Sequence, residues 1–264
     1  MSVSTVDAID GLLAHGRFSV STAQAAELLG VPDGQVRARM HRMVQSGRVF
    51  SPARGLWVAV PPEFRSWGVL PGTHFVDALM AHLSREYYVG WLSAAELHGA
   101  AHQRPQEFQV AVDRHVADRE VGRVRMRFHE RRRLHDVARQ RIEVQTGEMW
   151  VSTAEVTAGD LATDIDLAGG VSNAATVLAE LAETERIDSQ RLLDAAQVFP
   201  LATSRRLGYL LDLVGFGALC EAMHAQVNQH RDFPADLLVP GESETGSVDA
   251  RWRLRINADV EPDL

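Results

Sequence analysis

Six residues, opening with Gly30-Val31-Pro32-Asp33, separate an apolar helical run ending at Leu29 from another that begins at Val36. Gly30 is a helix-ending residue and Asp33 a good N-cap, so one helix must stop and the next start within that space. Two short helices joined by so tight a turn are the helix-turn-helix signature. The first opens on Ser21-Thr22-Ala23-Gln24. That is a capping box: the Ser21 hydroxyl takes an orphan amide while Gln24 reaches back. The second runs to Ser46, with Val36, Met40, Met43 and Val44 on one stripe. Upstream, Val6, Ile9, Leu12 and Leu13 mark a further helix from Thr5 to His15, closed by Gly16. Downstream, residues 47–50 and 56–60 read as two strands about a turn at 51–55. This order predicts a winged helix-turn-helix domain over residues 1–62.

At about 100° per residue, the third helix buries Val36, Met40 and Met43. The opposite face carries Gly34, Ala38, His41, Arg42 and Gln45, with Gln35 beside them. Arg37 and Arg39 sit on the two flanks. A recognition helix needs this layout, with outward residues meeting base edges and flanking cations meeting phosphates. Gln35, Ala38 and Arg42 are therefore the expected base contacts, with His41 on the same face. Arg37 and Arg39 are the expected backbone contacts, joined by Arg48. Arg54, at the wing tip, is placed for a narrow minor groove. Between Asp33 and Glu63 there are five arginines and no acid. The competing reading is a winged helix used only for protein contacts, its arginines a solvated face.

Every one of the 27 basic residues is arginine. Without lysine there is no P-loop lysine, no Schiff-base lysine and no kinase strand lysine. The single cysteine, Cys220, removes intramolecular disulfides and multi-cysteine zinc sites. No apolar run is long enough for a membrane span, and no signal pattern opens the chain, so a soluble cytoplasmic protein is expected. A length of 264 residues suits about two domains. Charge is uneven along it. Residues 1–62 carry six arginines against four acids, residues 63–145 thirteen against eleven, and residues 146–264 eight against twenty. Phosphate contacts act over a Debye length of about 10 Å, so the local basic stretches outweigh the net charge of −8.

The remainder reads as a larger α+β domain over residues 63–264, an antiparallel or mixed sheet packed by helices. Phe108, Val110 and Val112 alternate with polar neighbours as on a half-buried strand. Val124, Met126 and Phe128 alternate with Arg123, Arg125 and Arg127, and Arg131, Arg132 and Arg133 follow. Trp252, Leu254 and Ile256 alternate with Arg251, Arg253 and Arg255. The first ladder is a candidate second basic surface for RNA or an acidic partner. Like charges directly opposite one another are destabilising, so the two ladders should not be neighbours unless Asp113 or Glu143 intervenes. The competing reading is a solvated charged face with no further role.

Catalytic signals are weak. Glu96, His98 and His102 lack the HExxH spacing, and Gly99 interrupts their helix. Asp160, Asp164 and Asp166 could hold a divalent cation in a metal-dependent enzyme, but they read better as a polar loop before Gly169-Gly170, with Ser172 as the next helix cap. No GxSxG elbow exists, and Cys220 reads as core. No cofactor or metal is expected, and no enzyme. A small-molecule-sensing domain behind the winged helix is the other alternative.

Several segments occur in a telling order: Arg54-Gly55-Leu56-Trp57, YYVGWLSAAELHGAAHQRP, WVSTAEVTAGDLA, ATSRRLGYLLDLVG and WRLRINADVEPD. Together they resemble the AbiEi-type antitoxin family, close to its mycobacterial members. The resemblance implies an antitoxin paired with a nucleotidyltransferase-fold toxin. It implies an N-terminal winged helix that binds inverted repeats in the shared promoter as a pair of protomers, and a C-terminal domain that neutralises the toxin, by contact or otherwise. Gln35, Arg37, Arg39, Arg42 and Arg54 would read the operator. No catalytic residue is implied.

Overall fold

The computed structural model describes residues 4–100, 105–184 and 187–264. Residues 101–104 of the YYVGWLSAAELHGAAHQRP segment, His102 among them, lie outside the described residues. The chain runs α1 (Thr5–Ala14), β1 (Ser19–Ser21), α2 (Thr22–Leu29), α3 (Asp33–Gln45), β2 (Val49–Ala53), β3 (Leu56–Ala59), α4 (Val76–Leu83), β4 (Tyr87–Val89) and α5 (Trp91–Leu97). It continues through β5 (Phe108–Val112), β6 (Arg119–Val121), β7 (Val124–Glu130), β8 (Arg139–Val144) and β9 (Gly147–Ser152). It then enters α6 (Ala154–Thr163), α7 (Val171–Glu183), α8 (Ser189–Ala196), α9 (Leu201–Leu213), α10 (Glu221–Asn228), β10 (Asp236–Leu237), β11 (Val248–Asp249) and β12 (Leu254–Arg255). Two compact units result. One is Met1–Tyr87 with Gln106–Arg132 and Arg141–Trp150; the other is Tyr88–Pro105 with Arg133–Gln140 and Val151–Leu264. The fold is α+β.

In the first unit, the capping box forms as its sequence implies. Ser21 Oγ accepts from the Gln24 amide at 3.2 Å, and Gln24 Oε1 accepts from the Ser21 amide at 2.8 Å. Gly30 ends α2 in the left-handed conformation. Asp33 is not the N-cap of α3: Pro32 holds that position, without a side-chain bond, and Asp33 opens the helix as an acid in its first turn. A carboxylate there still favours the positive end of the helix dipole. β1, too short to show a period, pairs antiparallel with β3, which pairs antiparallel with β2. The strand β2 extends to Ala53, so the turn is Arg54-Gly55 alone. Ala8, Ile9, Leu12, Val20, Ala25, Leu29, Val36 and Met40 share one core. That core is small, and Phe50 adds an edge-to-face contact with Phe75 at 5.1 Å.

The same unit contains a mixed sheet. β7 pairs parallel with β5 and antiparallel with β6. β5 is buried on both faces from Gln109 to Val112, unlike the half-buried strand expected from its alternation. Ala111 is small enough to sit in the second interior face, which alternation with a polar Gln109 disguises.

The second unit is mostly helical. α6 is buried from Ala154 to Ala162 and packs against α5, α7, α8 and α9. A helix enclosed on every side needs small residues. At Gly159 a Cβ would overlap the Phe199 ring. Its buried Glu155 accepts from Arg191 Nε at 3.0 Å and from the Asp188 amide at 3.2 Å. Ser172 does not cap α7. Gly170 stands at that N-cap, and Ser172 Oγ accepts instead from the Glu261 amide at 3.0 Å. The expected strand around Trp252 shrinks to β12, because Arg253 takes a positive φ of 55°. No helix among the described residues is long and apolar enough to cross a membrane.

Candidate nucleic-acid interface

Val36 and Met40 anchor α3 with no exposure at all. Their burial fixes the opposite face. Gln35, Arg37, Ala38, His41 and Arg42 are exposed, and Arg39 is half-buried on the flank. His41 and Gln45 hydrogen-bond one turn apart at 3.3 Å. Among the described residues, no acid pairs with Arg37, Arg39 or Arg42.

Arginine elsewhere in this chain is usually engaged. Arg48 lies 3.2 Å from Asp10, which also takes Arg65 at 2.9 Å. Arg127 meets Glu107 at 2.8 Å, with Asp118 and Glu120 at 3.8 and 3.7 Å. Against that background, α3 is a rigid surface of unneutralised guanidiniums around two polar side chains. It can meet phosphates on its flanks and base edges at its centre. Arg48 is held by an acid that sequence spacing could not reveal, since Asp10 sits on α1.

Arg54 is exposed at the β2–β3 turn, and its backbone is held from outside the hairpin. His82 Nε2 donates to the Arg54 carbonyl at 3.0 Å, and Arg119 Nη1 donates to the Pro52 carbonyl at 3.1 Å. Sequence reasoning missed both residues; isolated His and Arg side chains carry no signal until the tertiary fold brings them to the turn.

The candidate second basic surface is less uniform. Arg123 and Arg125 are exposed, and Arg123 stacks over the Trp67 ring at 4.6 Å. Arg127 is committed to its acids, and Glu120 lies opposite Arg125 in register. Arg131 is half-buried and Arg132 exposed. Arg133 belongs to the other unit, where it pairs with Asp136 at 2.7 Å. The second ladder occupies a different sheet and is internally engaged. Arg251 meets Asp212 and Glu221, Arg253 donates to the Phe233 carbonyl and Arg255 to the Gly246 carbonyl.

Two of the three acids of the enzyme alternative accept from buried aromatic side chains. Asp160 accepts from Tyr88 Oη at 3.2 Å and Asp164 from Trp91 Nε1 at 3.0 Å. No group of three or more His, Cys, Asp or Glu among the described residues could hold a metal ion. A cleft of about 210 Å³ lies among Phe199, Leu201, Gln226, Val227 and His230. It falls below the size usual for a drug-like ligand site.

Residues 88–213 match the family model of the AbiEi antitoxin C-terminal domain. The crystal structure of the RV2827C protein from Mycobacterium tuberculosis is similar to this chain with a TM-score of 0.67 at 16% identity, covering 96% of this chain and 92% of that one. At that identity the likeness is one of fold. No curated protein matches the sequence. Two of the motifs that carry the resemblance fold against one another. YYVGWLSAAELHG meets WVSTAEVTAGDLA through the bond of Tyr88 to Asp160 and through His98, whose Nε2 donates to the Ser152 carbonyl at 2.8 Å.

Proposed function

From the resemblance to AbiEi antitoxins, carried by the match over residues 88–213, we propose that this chain is the antitoxin of a toxin–antitoxin pair and the repressor of its own promoter. Residues 1–62 act as a winged helix on an inverted repeat, bound by two protomers whose symmetry mirrors the half-sites. Gln35, Ala38, His41 and Arg42 read bases; Arg37, Arg39 and Arg54 contact the backbone and minor groove. Residues 63–264 neutralise a nucleotidyltransferase-fold toxin in the cytoplasm. The chain performs no catalysis. The observation that carries the DNA reading is the outward side of α3, where no acid among the described residues pairs with Arg37, Arg39 or Arg42.

The test is binding of the full chain to the DNA upstream of its own gene across a salt series, for wild type and Arg42→Ala. Each neutralised phosphate contributes about −0.9 to the slope of log K against log salt. Loss of one base contact should cost roughly 1–3 kcal/mol on the operator and little on random DNA. Equal affinity for promoter and random DNA would overturn the repressor reading. The antitoxin reading has its own test in cells. Arg42→Ala should lose repression yet still rescue growth from the adjacent toxin.

A further inference from the structure

The turn between β2 and β3 is two residues long, closed by pairing of Ala53 with Leu56. Gly55 supplies its positive φ of 86°. Hairpin tips of this kind usually project into solvent, where ordering them on a ligand costs affinity. Here both carbonyls of the turn are claimed. The Thr22 amide donates to the Gly55 carbonyl at 2.9 Å, and Trp57 Nε1 in turn holds the Thr22 hydroxyl at 3.2 Å. From α4, His82 Nε2 donates to the Arg54 carbonyl at 3.0 Å. The imidazole also flanks Gly55, where a Cβ would lie 3.6 Å from His82 Cε1. Arg119 of β6 holds the Pro52 carbonyl just before the turn. Three donors from three elements thus fix one short turn, and the side chain left exposed at its tip is Arg54.

We propose that His82, outside the helix-turn-helix, is a positioning residue for DNA recognition: its hydrogen bond to the Arg54 carbonyl sets the direction in which the Arg54 guanidinium enters the minor groove. This rests on the operator-binding reading above. It extends the DNA-reading apparatus to α4, so that residues 1–62 carry the contacts and a later helix aims one of them. His82 itself is not required to touch DNA. An imidazole Nε2–H donor here is replaceable by the amide of glutamine, which presents N–H at similar reach, and not by leucine, which fills similar space without a donor.

The experiment uses the full chain and promoter DNA, with His82→Leu, His82→Gln, Arg54→Ala and the double variant Arg54→Ala/His82→Leu. His82→Leu should weaken operator binding about five-fold or more, a size common for coupled neighbours. His82→Gln should restore most of the loss. In the Arg54→Ala background, His82→Leu should have little further effect. A merely loosened fold would not produce that dependence on Arg54, because it would weaken both backgrounds alike. Wild-type affinity in His82→Leu overturns the positioning role while the operator reading stands. So does an equal loss in both backgrounds, or failure of glutamine to rescue. Absence of any promoter preference in the wild type removes the operator reading and the positioning role with it.

Discussion

Arg205 Nη1 lies 2.8 Å from the Asp236 carboxylate, and the arginine side chain is 1% exposed. The same guanidinium donates to the Pro234 carbonyl at 2.6 Å and to the His230 carbonyl at 3.2 Å. One buried side chain of α9 therefore ties down the segment that leads from α10 into β10.

Arg205→Met should destabilise the chain by about 3 kcal/mol, because an acid and two carbonyls lose their donor together. Urea unfolding midpoints check this. A change below about 1 kcal/mol would mean that water satisfies those acceptors and that the segment is held by other contacts.

Gly208 faces the ring of Trp252, where a Cβ would overlap the indole, and Trp252 Nε1 donates to Asp212 at 2.6 Å. The indole cannot retreat without losing that bond. Gly208→Ala should cost about 1–3 kcal/mol by overpacking, although alanine is the better helix former. A stabilised Gly208→Ala variant, seen as a raised melting temperature, would contradict this packing.

Burial, and then the Asp212 carboxylate, hold the Cys220 thiol protonated, its pKa pushed up to about 12 from the usual 9.0. Below the unfolded value both states keep the proton. Above it the unfolded chain releases the proton and the folded chain does not, so stability falls as pH rises through about 12. The slope is at most about 1.4 kcal/mol per pH unit. Cys220→Ala should flatten this alkaline limb relative to wild type in unfolding midpoints, and the native thiol should resist alkylation at neutral pH. An unchanged limb, or ready labelling of the native protein, would count against the buried thiol.

Asp10 neutralises Arg48 and Arg65 beside the proposed DNA-binding helix. These pairs are partly exposed, so Asp10→Asn should change stability by less than about 1 kcal/mol. It should tighten DNA binding and steepen the salt slope by about one phosphate contact for each arginine released to DNA. An unchanged slope would place Arg48 and Arg65 outside the interface.

Much of the α3 face was legible before any fold was known. A helix presents Val36 and Met40 together, so burial of that stripe settles which residues face out. The turn before α3, the capping box of α2 and the hairpin were equally local. Less legible were strands of two or three residues such as β1, β10 and β11, which show no period and exist only through their partners. The capping roles of Asp33 and Ser172 were misread because proline and glycine neighbours took the cap positions, leaving Ser172 for a contact from the far end of the chain.

The sequence by itself determined where helices start and stop near the N-terminus, which residues of α3 face outward, and that no lysine chemistry is possible. These follow from backbone preference and from the helical period, which act over a few residues. Only the tertiary structure decided which arginines are neutralised. It joined Arg48 to Asp10, Arg127 to Glu107, and Arg205 to Asp236, and among the described residues it left Arg37, Arg39 and Arg42 without an acid. Pairing depends on distance through space, which spacing along the chain does not encode. For the same reason, His82 became visible only when α4 came to rest against the wing.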